Sequence, residues 1–157
     1  MSARLISVIG PPAVGKTTLA EHLAPELPAA LIREDYASNP FLAESYVGPA
    51  PTKLPSQLYF VLSRVAQLSI ARWDDDGPAI TDYGLCQDPI FAKLRLTQDD
   101  FALYEQLLVR LAPLVRRADL LVHLDARADT LLKRIAARGR AFEKAITAQF
   151  GDAGGVQ

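Results

Sequence analysis

Two stretches of this sequence carry residues whose types and spacing could do chemistry. The first is "GPPAVGKTT" (Gly10 to Thr18), which fits G-x-x-x-x-G-K-[ST] through Gly10, Gly15, Lys16 and Thr17. Such a loop turns its N–H groups, from Ala13 and Val14 through Gly15 to Thr18, around an anion that side chains would obstruct. Lys16 can reach the β/γ-phosphates of a nucleoside triphosphate, and the Thr17 hydroxyl can hold Mg²⁺. The second stretch is "RIAARGRAFEK", with Arg134, Arg138 and Arg140. Arg134 and Arg138 are four apart and share a helix face. Gly139 then lets the chain turn so that Arg140 points back into the same space. Arginines gathered in this way repel one another unless an anion sits among them. A transferring phosphoryl group spreads its charge over three oxygens and is such an anion. A solvated basic helix end would account for the same residues without a ligand.

The elements that must position these residues can be read from periodicity. "LISVIG", "AALI", "PAITD" and "DLLVHLD" read as four short strands. Helices are expected from Lys16 to Leu27, from Ser56 to Trp73 and from Thr97 to Arg117, with a last one in "ADTLLKRIAAR". "FLAESY" is a short helix at most. Leu58, Val61, Leu62, Val65 and Leu68 fall on one face of the second long helix, and Phe101, Tyr104, Leu108, Leu111 and Val115 on one face of the third. Thr97 and Asp100 have capping-box spacing. Strands alternating with helices predict an α/β fold, a parallel sheet between two helical layers. One domain is expected over residues 1–150, followed by a glycine-rich tail over 151–157.

The bulk numbers exclude some functions. A chain of 157 residues with 22% charged residues and net charge −1 has no electrostatic bias toward nucleic acid or a membrane surface. It has one cysteine, Cys86, and no apolar run long enough to span a bilayer, so a cytoplasmic protein is expected. The missing N-K-x-D motif argues against a guanine-nucleotide switch. A mechanical ATPase would end an apolar strand in paired acids, but alanine follows Asp125, which reads as a helix cap before a metal ligand. His22 and His123 read as structural. A small-molecule kinase remains. It requires a base near the loop, a second acid for Mg²⁺ and an arginine lid.

With "NPFLAESY", "SQLYFVLSRVAQL" and "DYGLCQDPIFA" in order between loop and lid, the chain resembles the deoxynucleoside kinases, whose lid reads R-I-x-x-R-G-R-x-x-E. The likeness is closest to the bacterial deoxyadenosine/deoxyguanosine kinases. It implies a P-loop three-layer sandwich that uses ATP and Mg²⁺ to phosphorylate the 5′-hydroxyl of a purine deoxynucleoside. It implies Glu34 as the base that takes the hydroxyl proton, and Asp82 as partner of Thr17 in holding the metal. Lys16, Arg138 and Arg140 would serve the transfer, with Arg134 and Arg138 on the phosphates. Tyr46 and Glu143 would share the 3′-hydroxyl, Gln57 would pair with a base edge, Phe91 would stack on the base, and Arg64 would line that pocket. Tyr83 stands where many family members have arginine, as it does in the purine-specific bacterial members. The family usually continues well past the lid, whereas this sequence ends in "GDAGGVQ". The usual fifth strand is therefore expected to be missing, leaving "DLLVHLD" as a sheet edge, with weak stability or self-association. The apolar face of the 97–117 helix could serve the core or a homodimer. A nucleotide-binding relative without turnover, and a kinase of another hydroxyl acceptor, are the competing readings.

Overall fold

A computed structural model describes residues 4–72, 77–140 and 143. Four strands, β1 (Leu5–Ile9), β2 (Ala30–Ile32), β3 (Ala79–Thr81) and β4 (Leu120–His123), form one sheet in the order β2-β3-β1-β4. Every pairing is parallel. The central strands β1 and β3 are the most buried, with Leu5, Val8 and Ile80 fully enclosed. This explains why they read as continuous apolar runs. Among the described residues β4 is an edge. Leu120 and Leu121 are 53% and 47% exposed there, as expected of "DLLVHLD".

Among the described residues six α-helices flank the sheet: α1 (Lys16–Glu26), α2 (Leu42–Val47), α3 (Lys53–Leu68), α4 (Asp88–Arg95), α5 (Gln98–Leu111) and α6 (Ala128–Arg138). One face of α1 meets the sheet through Ala20 and Ala24, flanked by Leu19 and Leu23. Small residues at that contact let the helix lie close to the strands. The Thr97 hydroxyl accepts from the Asp100 amide at 3.2 Å and caps α5 as its spacing predicts. Tyr104 is fully buried, with Phe101, Leu108 and Leu111 packed around it and around Val61 of α3. The predicted face of the 97–117 helix therefore serves the core. The helix itself ends at Leu111, and Pro113 lies in a following 3₁₀ turn.

Three expectations need correction. Leu62 is 56% exposed, so it lies outside the buried face of α3. α4 went unread in the sequence because Pro89 looks like a breaker; it sits in the first turn, where its missing N–H costs nothing. Asp125 does not cap α6, whose N-cap is Arg127; its carboxylate accepts from the neighbouring Ala126 amide at 2.8 Å. The tail over 151–157 lies outside the described residues.

Candidate active site

The loop between β1 and α1 has the backbone its glycines suggest. Gly10 has φ +148°, and a Cβ there would meet the Leu124 carbonyl oxygen at 2.5 Å. No other residue fits that close approach to the end of β4. Gln87 fixes the same residue: its Oε1 accepts from the Gly10 amide at 3.0 Å. Lys16 Nζ donates to the Gly10 and Pro11 carbonyls at 3.0 and 2.9 Å. Burial lowers the Lys16 pKa, against the raising influence of Glu34 and Asp82. Arg134 of α6 donates to the Val14 carbonyl at 3.2 Å, so the helix carrying the arginines already touches the loop.

Two acids stand at the C-terminal ends of neighbouring strands, where open α/β sheets gather ligands. Asp82 follows β3 and is 5% exposed. Its Oδ2 accepts from the Thr17 hydroxyl at 2.7 Å, and its Oδ1 from the Glu34 backbone amide at 2.7 Å. One carboxylate thus ties the phosphate-type loop to the segment after β2. Thr17 and Asp82 put hard oxygen donors side by side, a set that suits Mg²⁺ completed by phosphate and water. Glu34 extends from the same segment, and its carboxylate accepts from Arg64.

Arg64 leads inward. Its guanidinium bridges Glu34 and Asp88, and lies 5.4 Å from the Phe60 ring centre and 5.3 Å from that of Tyr83. Burial works against its charge, but Glu34 and Asp88 outweigh that effect and raise its pKa. Asp88 is fully buried and accepts from Arg64, from Gln57 Nε2 at 2.8 Å and from the Tyr104 hydroxyl at 2.5 Å. Burial, reinforced by Asp88, raises the Tyr104 pKa and keeps that hydroxyl a donor. Tyr83 donates to Gln67 at 2.6 Å, so it packs under Arg64 without reaching for an acid. Asp88→Asn removes the charge that three donors converge on. The melting temperature is expected to fall by roughly 5–10 °C in thermal denaturation. An unchanged midpoint would show that the carboxylate is not a structural centre.

The remaining predicted residues fall into two groups. Tyr46 of α2 lies under Arg95, whose guanidinium carbon is 4.8 Å from the ring centre. Burial raises the Tyr46 pKa, Arg95 opposes this and Glu143 adds to it, so the hydroxyl stays protonated near Glu143. Phe91 is half-buried on α4. The lid residues are joined to each other: Glu143, 4% exposed, accepts from Arg138 Nε at 2.7 Å and lies 3.6 Å from Arg140. Gly139 caps α6 at φ +63°, the turn its position suggests. The anion among the arginines is thus a carboxylate of the chain itself.

A family model described as deoxynucleoside kinase matches residues 6–151. The chain belongs to the deoxynucleoside kinase family. It is 29% identical over 152 residues to the deoxyguanosine kinase of Bacillus subtilis, covering 95% of this chain and 73% of that one. It is 31% identical to the deoxyadenosine kinase of Dictyostelium discoideum, covering 92% of this chain and 61% of that one. A deoxyadenosine kinase from M. mycoides, solved with bound dATP, superposes with a TM-score of 0.76 at 26% identity. That superposition covers 90% of this chain and 74% of the other.

Within this member of the family, the sequence reading lacked Asp88 and Gln87, and took Tyr104 as part of an apolar face without its bond to Asp88. Pro89, next to Asp88, fits the first turn of a helix as well as a break, which is the one local signal there. Nothing local shows that Asp88 would meet residues of α3 and α5.

Proposed function

We propose that this protein transfers the γ-phosphoryl group of ATP, with Mg²⁺, to the 5′-hydroxyl of a purine deoxynucleoside. The observation that carries the reading is the bridge by Arg64. It holds Glu34 on one side and, on the other, the buried Asp88 that Gln57 also meets. An acceptor with a sugar hydroxyl at one end and a hydrogen-bonding ring at the other matches that layout. Gln57, placed by its bond to Asp88, would offer its amide to a purine edge, as glutamine does to adenine. Phe91 supplies a face for stacking.

In the reaction the acceptor oxygen forms a bond to Pγ as the Pγ–O bond to the β-phosphate breaks and ADP leaves. Glu34 receives the hydroxyl proton, and Arg64 orients its carboxylate. Lys16, Arg138, Arg140 and the loop amides face the oxygens on which charge builds, with Arg134 beside the loop. Thr17 and Asp82 would hold Mg²⁺, which would supply neutralisation of the phosphate charge. For Arg138 and Arg140 to serve, Glu143 must share them with phosphate, and a sugar 3′-hydroxyl donating to Glu143 would loosen its hold.

ATP turnover against a panel of deoxynucleosides tests the reading. Turnover with deoxyadenosine or deoxyguanosine above the pyrimidine deoxynucleosides is expected. ATP binding with no turnover on any of them would leave a nucleotide-binding relative instead. The sugar contact has its own test. Tyr46→Phe should raise KM for a 2′-deoxynucleoside roughly tenfold, and much less for a 2′,3′-dideoxynucleoside, because a site that bonds a hydroxyl penalises its absence. Equal effects on both would remove Tyr46 from the sugar site.

A further inference from the structure

We propose that Tyr36 is the positioning residue for the lid, its ring face seating the Arg140 guanidinium over the segment that carries Glu34. The guanidinium carbon of Arg140 lies 4.0 Å from the centre of the Tyr36 ring, well within cation–π range. Tyr36 is two residues past Glu34, and the segment between them and α2 is held at both ends. The Glu34 amide donates to Asp82 at 2.7 Å. The other end is Asn39, buried at 6% exposure, whose Nδ2 donates to the Ser56 carbonyl and hydroxyl at 3.2 and 3.1 Å. Between these anchors Asp35 accepts from the Ser38 amide, and the Tyr36 carbonyl from the Asn39 amide, both at 3.2 Å. The ring is therefore presented from a fixed turn, while Arg140 follows the αL glycine that ends α6.

The seat complements the carboxylate clamp. Glu143 holds Arg138 by two bonds and Arg140 only at 3.6 Å, so charge holds Arg140 less closely than Arg138. A ring face fixes a cation without neutralising it. Arg140 can thus be placed beside the phosphoryl group and keep its charge for it, which a second carboxylate would not allow. A guanidinium seated beforehand loses less freedom when the transferring group forms.

The turnover part of the test rests on the kinase reading; a second readout does not. Tyr36→Leu keeps bulk and removes the π face, whereas Tyr36→Phe keeps the face. Tyr36→Leu should lower kcat about fivefold with KM for the deoxynucleoside changed less than twofold, and Tyr36→Phe should stay within twofold of the parent. In an Arg140→Met background Tyr36→Leu should cause no further loss. In the protein without nucleotide, Tyr36→Leu should speed trypsin cleavage after Arg140 about fivefold, followed by mass spectrometry of the fragments, and Tyr36→Phe should not. The proposal fails if Tyr36→Leu matches the parent in either readout, if Tyr36→Phe loses as much, or if the losses add in the double variant. Should the parent lack turnover altogether, the kinase reading fails and the cleavage rates alone decide the seat.

Discussion

Glu34→Gln is expected to lower kcat by roughly 10²-fold or more while ATP affinity stays within about twofold of the parent. The separation follows from how Glu34 is held. Its backbone amide donates to Asp82, a bond the side-chain change does not touch, so the link to Thr17 and the loop survives. Its side chain accepts from Arg64, and the glutamine carbonyl oxygen can accept the same bond. What disappears is the ability to take a proton at neutral pH. Steady-state kinetics with a saturating deoxynucleoside would read the kcat change, and titration calorimetry the ATP affinity. An unchanged kcat would show that another residue or a water takes the proton. A joint collapse of kcat and ATP affinity would show that the Arg64 bridge, rather than proton transfer, had been broken.

The parts of this site that were legible in the sequence are those whose chemistry is local. The loop at Gly10–Thr17 places its donors within one turn, so its pattern reports its backbone geometry directly. Glu34 and Asp82 stand just past apolar strands, and a parallel sheet brings strand ends together whatever the intervening helices do. Thr97 caps α5 through a contact within one helical turn. Asp88 was illegible for the opposite reason. Its partners Tyr104, Arg64 and Gln57 are 16, 24 and 31 residues away, and they meet only because α3, α4 and α5 pack together. The role of Glu143 was half legible. Its place in the lid pattern marked it as functional, but only the fold shows that it neutralises Arg138. Leu62 shows the limit of periodicity. It lies within the apolar stripe of α3, yet at its rim, where the packing of α3 against the sheet and α5 leaves it facing solvent.

Lys16→Ala should weaken ATP binding by roughly 10²-fold and leave no measurable transfer. With two of its three N–H groups on the Gly10 and Pro11 carbonyls, the ammonium has one charge-assisted bond to give a phosphate oxygen, and that loss of about 1.5–3 kcal/mol sets the scale. The geometry adds a second consequence. Lys16 Nζ donates to the Gly10 and Pro11 carbonyls at 3.0 and 2.9 Å, so it also holds the first turn of the loop. Gly10 keeps its other support, the Gln87 amide oxygen at 3.0 Å, and Arg134 keeps its contact with Val14. The loop should therefore remain folded in the alanine variant, with a melting temperature within a few degrees of the parent. ATP titration by calorimetry and thermal denaturation would separate the two effects. Lys16→Arg provides the control for charge alone. Its planar fork cannot place one compact ammonium between two carbonyls and a phosphate, so it should restore little of the affinity. Full affinity in the alanine variant would mean that the loop binds its anion through backbone amides alone, with Lys16 a structural tie for Gly10 and Pro11, whereas full affinity in Lys16→Arg alone would mean that the charge suffices whatever its shape.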